Sequence, residues 1–253
     1  MPMRDVTSQL VQDLRAGFEL LTRLPVPASL RAPRSDAAWC WPIVGIVVAG
    51  AGTGIAVLAT KIGLPVATSA LIMIVITSFV SGALHEDGLA DCADGFYGGR
   101  DKARRLAIMK DSQIGSYGTL ALLVAVLLRW TLLTALLAVG AYAEVIFAAA
   151  LSRALMAAVM TALPNARGEG LSQVVGRPTS IGAGVSVILA VLVGLVLVGF
   201  ASVTMLVIAA GFAALVAWVA QAKIGGQTGD VLGATQQISE LGALLTAVAM
   251  IGM

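Results

Sequence analysis

The stretch LPVATSALIMIVITSFVSGAL, residues 64–84, runs directly into HEDGLADCADG, residues 85–95. The first part carries no charge and matches a transmembrane helix, which needs about 20 apolar residues to cross about 30 Å of hydrocarbon. The second part places Glu86, Asp87, Asp91 and Asp94 within nine residues. Four carboxylates at the mouth of an apolar span mark both the fold class and the place where chemistry is concentrated. Of fourteen acidic and sixteen basic residues in the chain, six and five lie between His85 and Asp111.

Outward from this junction the rest of the chain reads the same way. Hydrophobic residues make up 58% and charged residues 12% of the 253, whereas a soluble domain carries about a quarter charged. The sequence therefore predicts an all-α integral membrane protein, a single membrane domain over residues 1–253. Its spans read as Trp41–Thr60, Val66–Leu84, Gly118–Val139, Tyr142–Leu163, Gly182–Gly199, Val203–Gln221 and Val231–Gly252. Seven crossings result; six with one re-entrant or interfacial segment is the rival count, because Gln236, Gln237, Ser239 and Glu240 interrupt the last. Val6, Leu10, Leu14, Phe18 and Leu21 recur at near-helical spacing, with Arg4, Asp5, Gln12, Asp13 and Glu19 elsewhere on the wheel. That pattern predicts an N-terminal amphipathic helix on the membrane surface, ended by Leu24-Pro25-Val26-Pro27.

Loop charges orient the bundle. Residues 1–40 hold five Arg, the 85–117 loop five Lys or Arg, the 164–181 loop Arg167 and Arg177, and the last loop on that side Lys223. The opposite connections hold only Lys61. Enrichment of Lys and Arg on the cytoplasmic side puts the N-terminus and the acidic loop in the cytoplasm of a bacterial-type inner membrane. A net charge of +2 gives no reason to expect nucleic acid. Cys40 and Cys92 stand far apart without a CxxC partner, and His85 is the sole histidine, so neither a disulfide framework nor a multi-histidine metal site is expected.

On a helix continued from the second span, Asp91 lies about 40° from Asp87 and Asp94 about 20° to the other side. Three carboxylates on one face raise each other's pKa unless a cation lies between them. An all-oxygen set suits Mg²⁺, with Mn²⁺ next, and Mg²⁺ commonly shares its shell with substrate phosphates. Glu86 points off this face and reads as a solvated flank. Arg104, Arg105 and Lys110 follow as candidate phosphate ligands on a helix capped by Asp101. His85 reads as a base or as a structural hydrogen-bonding residue at the interface, and Asp111 as a further metal ligand, a base or the orienter of an arginine. Inside the membrane, Ser152 and Arg153 should face the bundle interior, since intramembrane charge is costly; a structural pair between two of Arg153, Glu144 and Arg129 is the other reading. Asp230, Gly233, Gln237 and Glu240 fall within about 80° on the last helix and suggest a cavity wall, with Gln227 in the turn that feeds it.

The blocks His85–Gly95, Met109–Gly115 and Gly225–Ala234, with Leu21–Pro27 and Ser152-Arg153, resemble the adenosylcobinamide-GDP ribazoletransferase (cobalamin synthase) family over residues 18–241. Gln237 departs from relatives that carry a carboxylate there. The resemblance implies a Mg²⁺-dependent membrane enzyme joining adenosylcobinamide-GDP to α-ribazole or α-ribazole 5′-phosphate, with release of GMP. On that reading Asp87, Asp91 and Asp94 hold the metal, His85 or Asp111 is the base, and Arg104, Arg105, Lys110, Arg153, Gln227, Asp230 and Glu240 meet substrate. Two other classes compete. A CDP-alcohol phosphotransferase also clusters Asp at a helix end, but its Ala-Arg pair after the first Asp-Gly is absent here. A secondary transporter would place its site at the midplane.

Overall fold

The computed structural model describes residues 6–27 and 35–252, and every regular element among them is helical. Arg4, Asp5, Arg31 and Arg34, used above for the amphipathic pattern and the charge count, lie outside the described residues. The helices are α1 (Val6–Leu21), α2 (Trp41–Lys61), α3 (Val66–Ser81), α4 (Leu84–Gly98), α5 (Lys102–Ile108) and α6 (Ser116–Ala138). They continue as α7 (Tyr142–Ala162), α8 (Leu171–Val175), α9 (Ser180–Leu197), α10 (Ala201–Ile224) and α11 (Gly229–Ile251), and a 3-10 turn, Ser35–Cys40, leads into α2.

Five helical stretches are long and apolar enough to cross a bilayer: Ser35–Lys61, Ser116–Ala138, Tyr142–Ala162, Ser180–Leu197 and Ala201–Ile224. Val66–Ser81 joins them only when taken with Leu84–Gly98, from which it is bent by 87°. The chain is therefore a multi-pass membrane protein with five such crossings, or six. The last expected span does form one helix, α11, but its polar residues keep it out of that set, and most of its side chains are buried inside the bundle.

The expected run of the second span straight into the acidic motif is corrected. Gly82 (φ 65°) and Ala83 (φ 53°) adopt left-handed conformations in succession, ending α3 and turning the chain across it. Ala83 is the only non-glycine residue described with positive φ, a conformation costly for an L-residue outside glycine. The N-terminal segment wedges the bend: the Arg23 N–H donates to the Val80 carbonyl at 2.7 Å, and its side chain lies over Gly82, where a Cβ would come within 2.6 Å of Nε. Upstream, α1 buries Ala16 and Leu21, exposes Leu10 and Val11, and is tied to the 3-10 turn by Trp39 Nε1 donating to Asp13 Oδ2 at 3.0 Å.

At the centre α7 packs on α2, α9 and α11, and α11 packs on α10, α4 and α7. Lipid tails are as apolar as leucine, so helices in a bilayer associate through close packing of small residues. The buried run Ala148, Ala149, Ala150, Ala154 and Ala157 of α7 supplies that surface. By contrast α9 and α10 present Ile188, Val196, Val207 and Trp218 outward.

The acidic helix and the last helix cross on their glycines. A Cβ on Gly88 would lie 2.7 Å from the Asp230 carbonyl oxygen, and one on Gly233 would lie 3.2 Å from the His85 Cα. Because the obstructing atoms at Gly88 are backbone, Gly88→Val must push α4 away from α11. A stability loss of about 1–3 kcal/mol is expected from such overpacking, read as a lowered unfolding midpoint in detergent micelles and accompanied by reduced turnover.

Candidate active site

The end of α3 and the starts of α6 and α11 meet α4, and the turn after α7 is bonded to the turn before α11, so these termini gather at one end of the bundle. Along α4, Asp87 and Asp91 open into a cleft of about 430 Å³ whose other wall is the 109–114 loop with Lys110, Asp111, Ser112 and Gln113. Asp91 is pushed up to about 7, by burial first, then by Asp87 and Asp230, with Arg167 working the other way. The set is short of positive charge.

Asp94 is turned elsewhere. Its Oδ2 accepts from the Gly115 N–H at 2.7 Å and its Oδ1 from the Gly118 N–H at 2.9 Å, so it satisfies amides at the start of α6 that would otherwise lack partners. Both glycines are required there, since a Cβ on either would collide with that carboxylate. Among the described residues, no group of three or more His, Cys, Asp or Glu side chains is arranged to hold a metal ion. Asp87 and Asp91, with Asp230 close enough to act on Asp91, nevertheless fit a hard cation that completes its shell with water and substrate phosphate, the usual habit of Mg²⁺.

Asp230 reaches the cluster from the first turn of α11. Its Oδ2 accepts from Arg167 Nη2 at 3.1 Å and from Thr228 Oγ1 at 3.2 Å. Gln227 is buried and acts through its backbone: its N–H donates to the Pro164 carbonyl and its carbonyl accepts from the Ala166 N–H, each at 2.8 Å. Its side-chain Oε1 is buried without a partner among the described residues.

Glu86 is not a solvated flank, which corrects the sequence expectation. Only 15% of its side chain is exposed; it lies 3.5 Å from Arg129 Nη1 and accepts from Ser78 Oγ at 2.9 Å. The helix bend explains the error, because α4 turns this face onto α3 and α6. Arg129 also meets Glu240 at 2.6 Å, and Arg153 meets Glu240 at 3.6 Å. Ser152 Oγ and Gln236 Nε2 complete the surroundings of Glu240. Arg153 and Glu240, expected to meet substrate, thus stand inside a buried ionic network together with Arg129 and Glu86. Charges that would be costly singly are paired and hydrogen-bonded here.

The remaining candidates divide between two sides. Asp111 lines the cleft with Asp87 and Asp91, whereas His85 lines a separate, mostly apolar cavity with Trp41, Met156, Met160 and Leu232. Burial, then the nearby Arg153 and Arg129 guanidiniums, hold the His85 imidazole well below its usual range. Lys110 stands at the cleft edge paired with Glu169 at 2.7 Å. Arg105 is spent on the carbonyls of Gly99, Lys223 and Arg100, and Arg104 is exposed on α5 with its N–H held by Asp101. Arg167 and Glu169 were not singled out as site residues; the signal was a polar turn, Asn165 to Gly170, in a loop otherwise serving only to link two spans.

Fold and site together define a polytopic α-helical membrane enzyme with a carboxylate-lined cleft at one end of its bundle. The family model described as cobalamin-5-phosphate synthase matches residues 13–248, and the chain belongs to that family. Relatives named adenosylcobinamide-GDP ribazoletransferase include one from Bradyrhizobium diazoefficiens, 37% identical over 98% of this chain and 98% of its own. Another, from Azorhizobium caulinodans, is 39% identical over 94% and 96% of the two chains; one from Brucella ovis is 41% identical over 94% and 97%. No solved structure matches the chain.

Proposed function

We propose that this protein joins adenosylcobinamide-GDP to α-ribazole or its 5′-phosphate, releasing GMP and forming adenosylcobalamin or its 5′-phosphate. The observation that carries the reading is the cleft itself: Asp87, Asp91, Lys110 and Asp111 line one cavity, in a chain whose full-length relatives bear that activity as their name. Seven crossings follow if α3 and α11 each span with the five apolar helices, α1 lying in the interface. The Lys and Arg asymmetry then puts the N-terminus and the cleft on the cytoplasmic side of the inner membrane.

Asp87 and Asp91, with Asp230, would hold Mg²⁺. When bound, Mg²⁺ would orient the pyrophosphate and offset charge on the departing GMP. Lys110 neutralises phosphate oxygens at the cleft edge. Asp111 takes the proton of the ribazole 3′-hydroxyl as that oxygen attacks the cobinamide-linked phosphorus, and the bond to GMP breaks. His85, opening on another cavity, supports the α4–α11 crossing instead.

GMP release from adenosylcobinamide-GDP and α-ribazole by the purified protein in lipid tests the reading. A CDP-alcohol transferase or a transporter releases no GMP from this pair. In the same assay Asp111→Asn is expected to lower kcat by about 10²–10⁴-fold, the usual worth of a general base. His85→Gln is expected to lose less than about tenfold; reversed magnitudes would exchange the two roles.

A further inference from the structure

The turn carrying Arg167 is built more firmly than a connecting loop requires. Asn165 Oδ1 accepts from the Arg167 and Gly168 N–H groups at 3.0 and 2.7 Å, while its Nδ2 donates to Ser172 Oγ at 3.0 Å. The Pro164–Ala166 backbone is zipped to Gln227 by the two bonds described above. Gly226 makes that approach possible, since a Cβ there would collide with the Pro164 carbonyl. Two loops from different membrane hairpins are thereby locked together, and the side chain they aim into the carboxylates is Arg167.

Arg167 touches Asp230 through Nη2 alone; its Nε is buried without a partner among the described residues. A guanidinium has five N–H donors in a fixed fork that suits phosphate; among the described residues one arm of this fork is committed, to Asp230, and Nε is not. Asp87, Asp91 and Asp230 outnumber it. A divalent cation entering such a set competes directly with Arg167 for Asp230.

We propose that Arg167 is an exchangeable counter-ion, paired with Asp230 while no cation is bound and turned onto a phosphoryl oxygen of the nucleotide-activated substrate once Asp230 has taken the cation. This rests on the reading of the cleft given above. It explains why a positive side chain is held among residues that would hold a cation: partial compensation of the carboxylates and grip on the substrate come from one group in two positions. Arg167 is a substrate-binding residue in this scheme, and it delays cation entry until substrate arrives.

The consequence is a pair of shifts with opposite signs. In Arg167→Met, Mn²⁺ measured by electron paramagnetic resonance without substrate binds about tenfold tighter, because a like charge has left the site. Adenosylcobinamide-GDP, followed by its corrin absorbance in equilibrium dialysis with saturating Mg²⁺, binds about tenfold or more weakly, since a charge-assisted contact is gone. Arg167→Lys keeps the charge but not the fork: Mn²⁺ affinity stays within about twofold of wild type while substrate affinity still falls several-fold. A merely structural residue would weaken both ligands together. Unchanged or weaker Mn²⁺ binding in Arg167→Met overturns the proposal, as does joint loss of both affinities in the two variants. Absence of GMP release by wild-type protein is a different failure: it removes the assigned reaction and leaves the Mn²⁺ comparison to decide the counter-ion role.

Discussion

Asp91→Asn is expected to lower turnover by about 10³-fold, the scale of losing one preorganised charge at a reacting phosphoryl group, while membrane insertion and folding are kept. The amide has the shape of the carboxylate, so packing around it is undisturbed. Asp91 is half-buried beside Asp87 and Asp230, and both disfavour its ionised form. Removing its charge relieves that repulsion in the resting protein, so the unfolding midpoint should stay level or rise while activity collapses. Asp87→Asn should behave alike. Asp94→Asn should not: its carboxylate is committed to the Gly115 and Gly118 N–H groups, and an amide keeps only one acceptor oxygen, so stability falls with a smaller direct effect on chemistry. Kinetics and thermal unfolding of the three variants in the same detergent separate these outcomes. Near-wild-type turnover in Asp91→Asn would remove the carboxylate pair from the mechanism.

Much of this arrangement was legible before any coordinates. Charge is so scarce in an apolar chain that its concentration between His85 and Asp111 located the cleft, and Asp87, Asp91, Lys110 and Asp111 do meet there. Helical periodicity put Asp87, Asp91 and Asp94 on one helix, as α4 bears out. It could not reveal that Asp94 is diverted to α6, because that depends on glycines more than twenty residues downstream. The bend at Gly82-Ala83 was hidden for a different reason: alanine gives no signal for a left-handed backbone, and the wedge that accompanies it, Arg23, comes from a distant segment. The same bend turned Glu86 from an apparent solvent flank into a buried partner of Arg129. That Gly88 meets the Asp230 backbone and Gly233 the His85 backbone is a tertiary fact.

That buried network gives the largest expected effect on stability. Arg129 lies 2.6 Å from Glu240 and 3.5 Å from Glu86, with 11% of its side chain exposed, and so links the bundle interior to the first turn of α4. Arg129→Met leaves Glu86 with no cation in contact among the described residues, since Arg153, although near enough to act on Glu86 at longer range, makes its contacts to Glu240 and Ala149. Removing one partner of a buried pair costs about 3–5 kcal/mol because the other charge stays desolvated and unpaired. The expected result is a sharply lowered unfolding midpoint and loss of turnover, Asp87 being the next residue along the loosened turn. Arg129→Met combined with Glu86→Gln deletes the stranded charge as well, while Glu240 keeps Arg153, Ser152 and Gln236. The double variant should therefore regain most of the lost stability, because an uncharged side chain at residue 86 still reaches Ser78. A double variant as unstable as the single one would mean that Arg129 acts through packing of its aliphatic stem. Wild-type stability in the single variant would mean that water already reaches Glu86 and the network is not holding α4 in place.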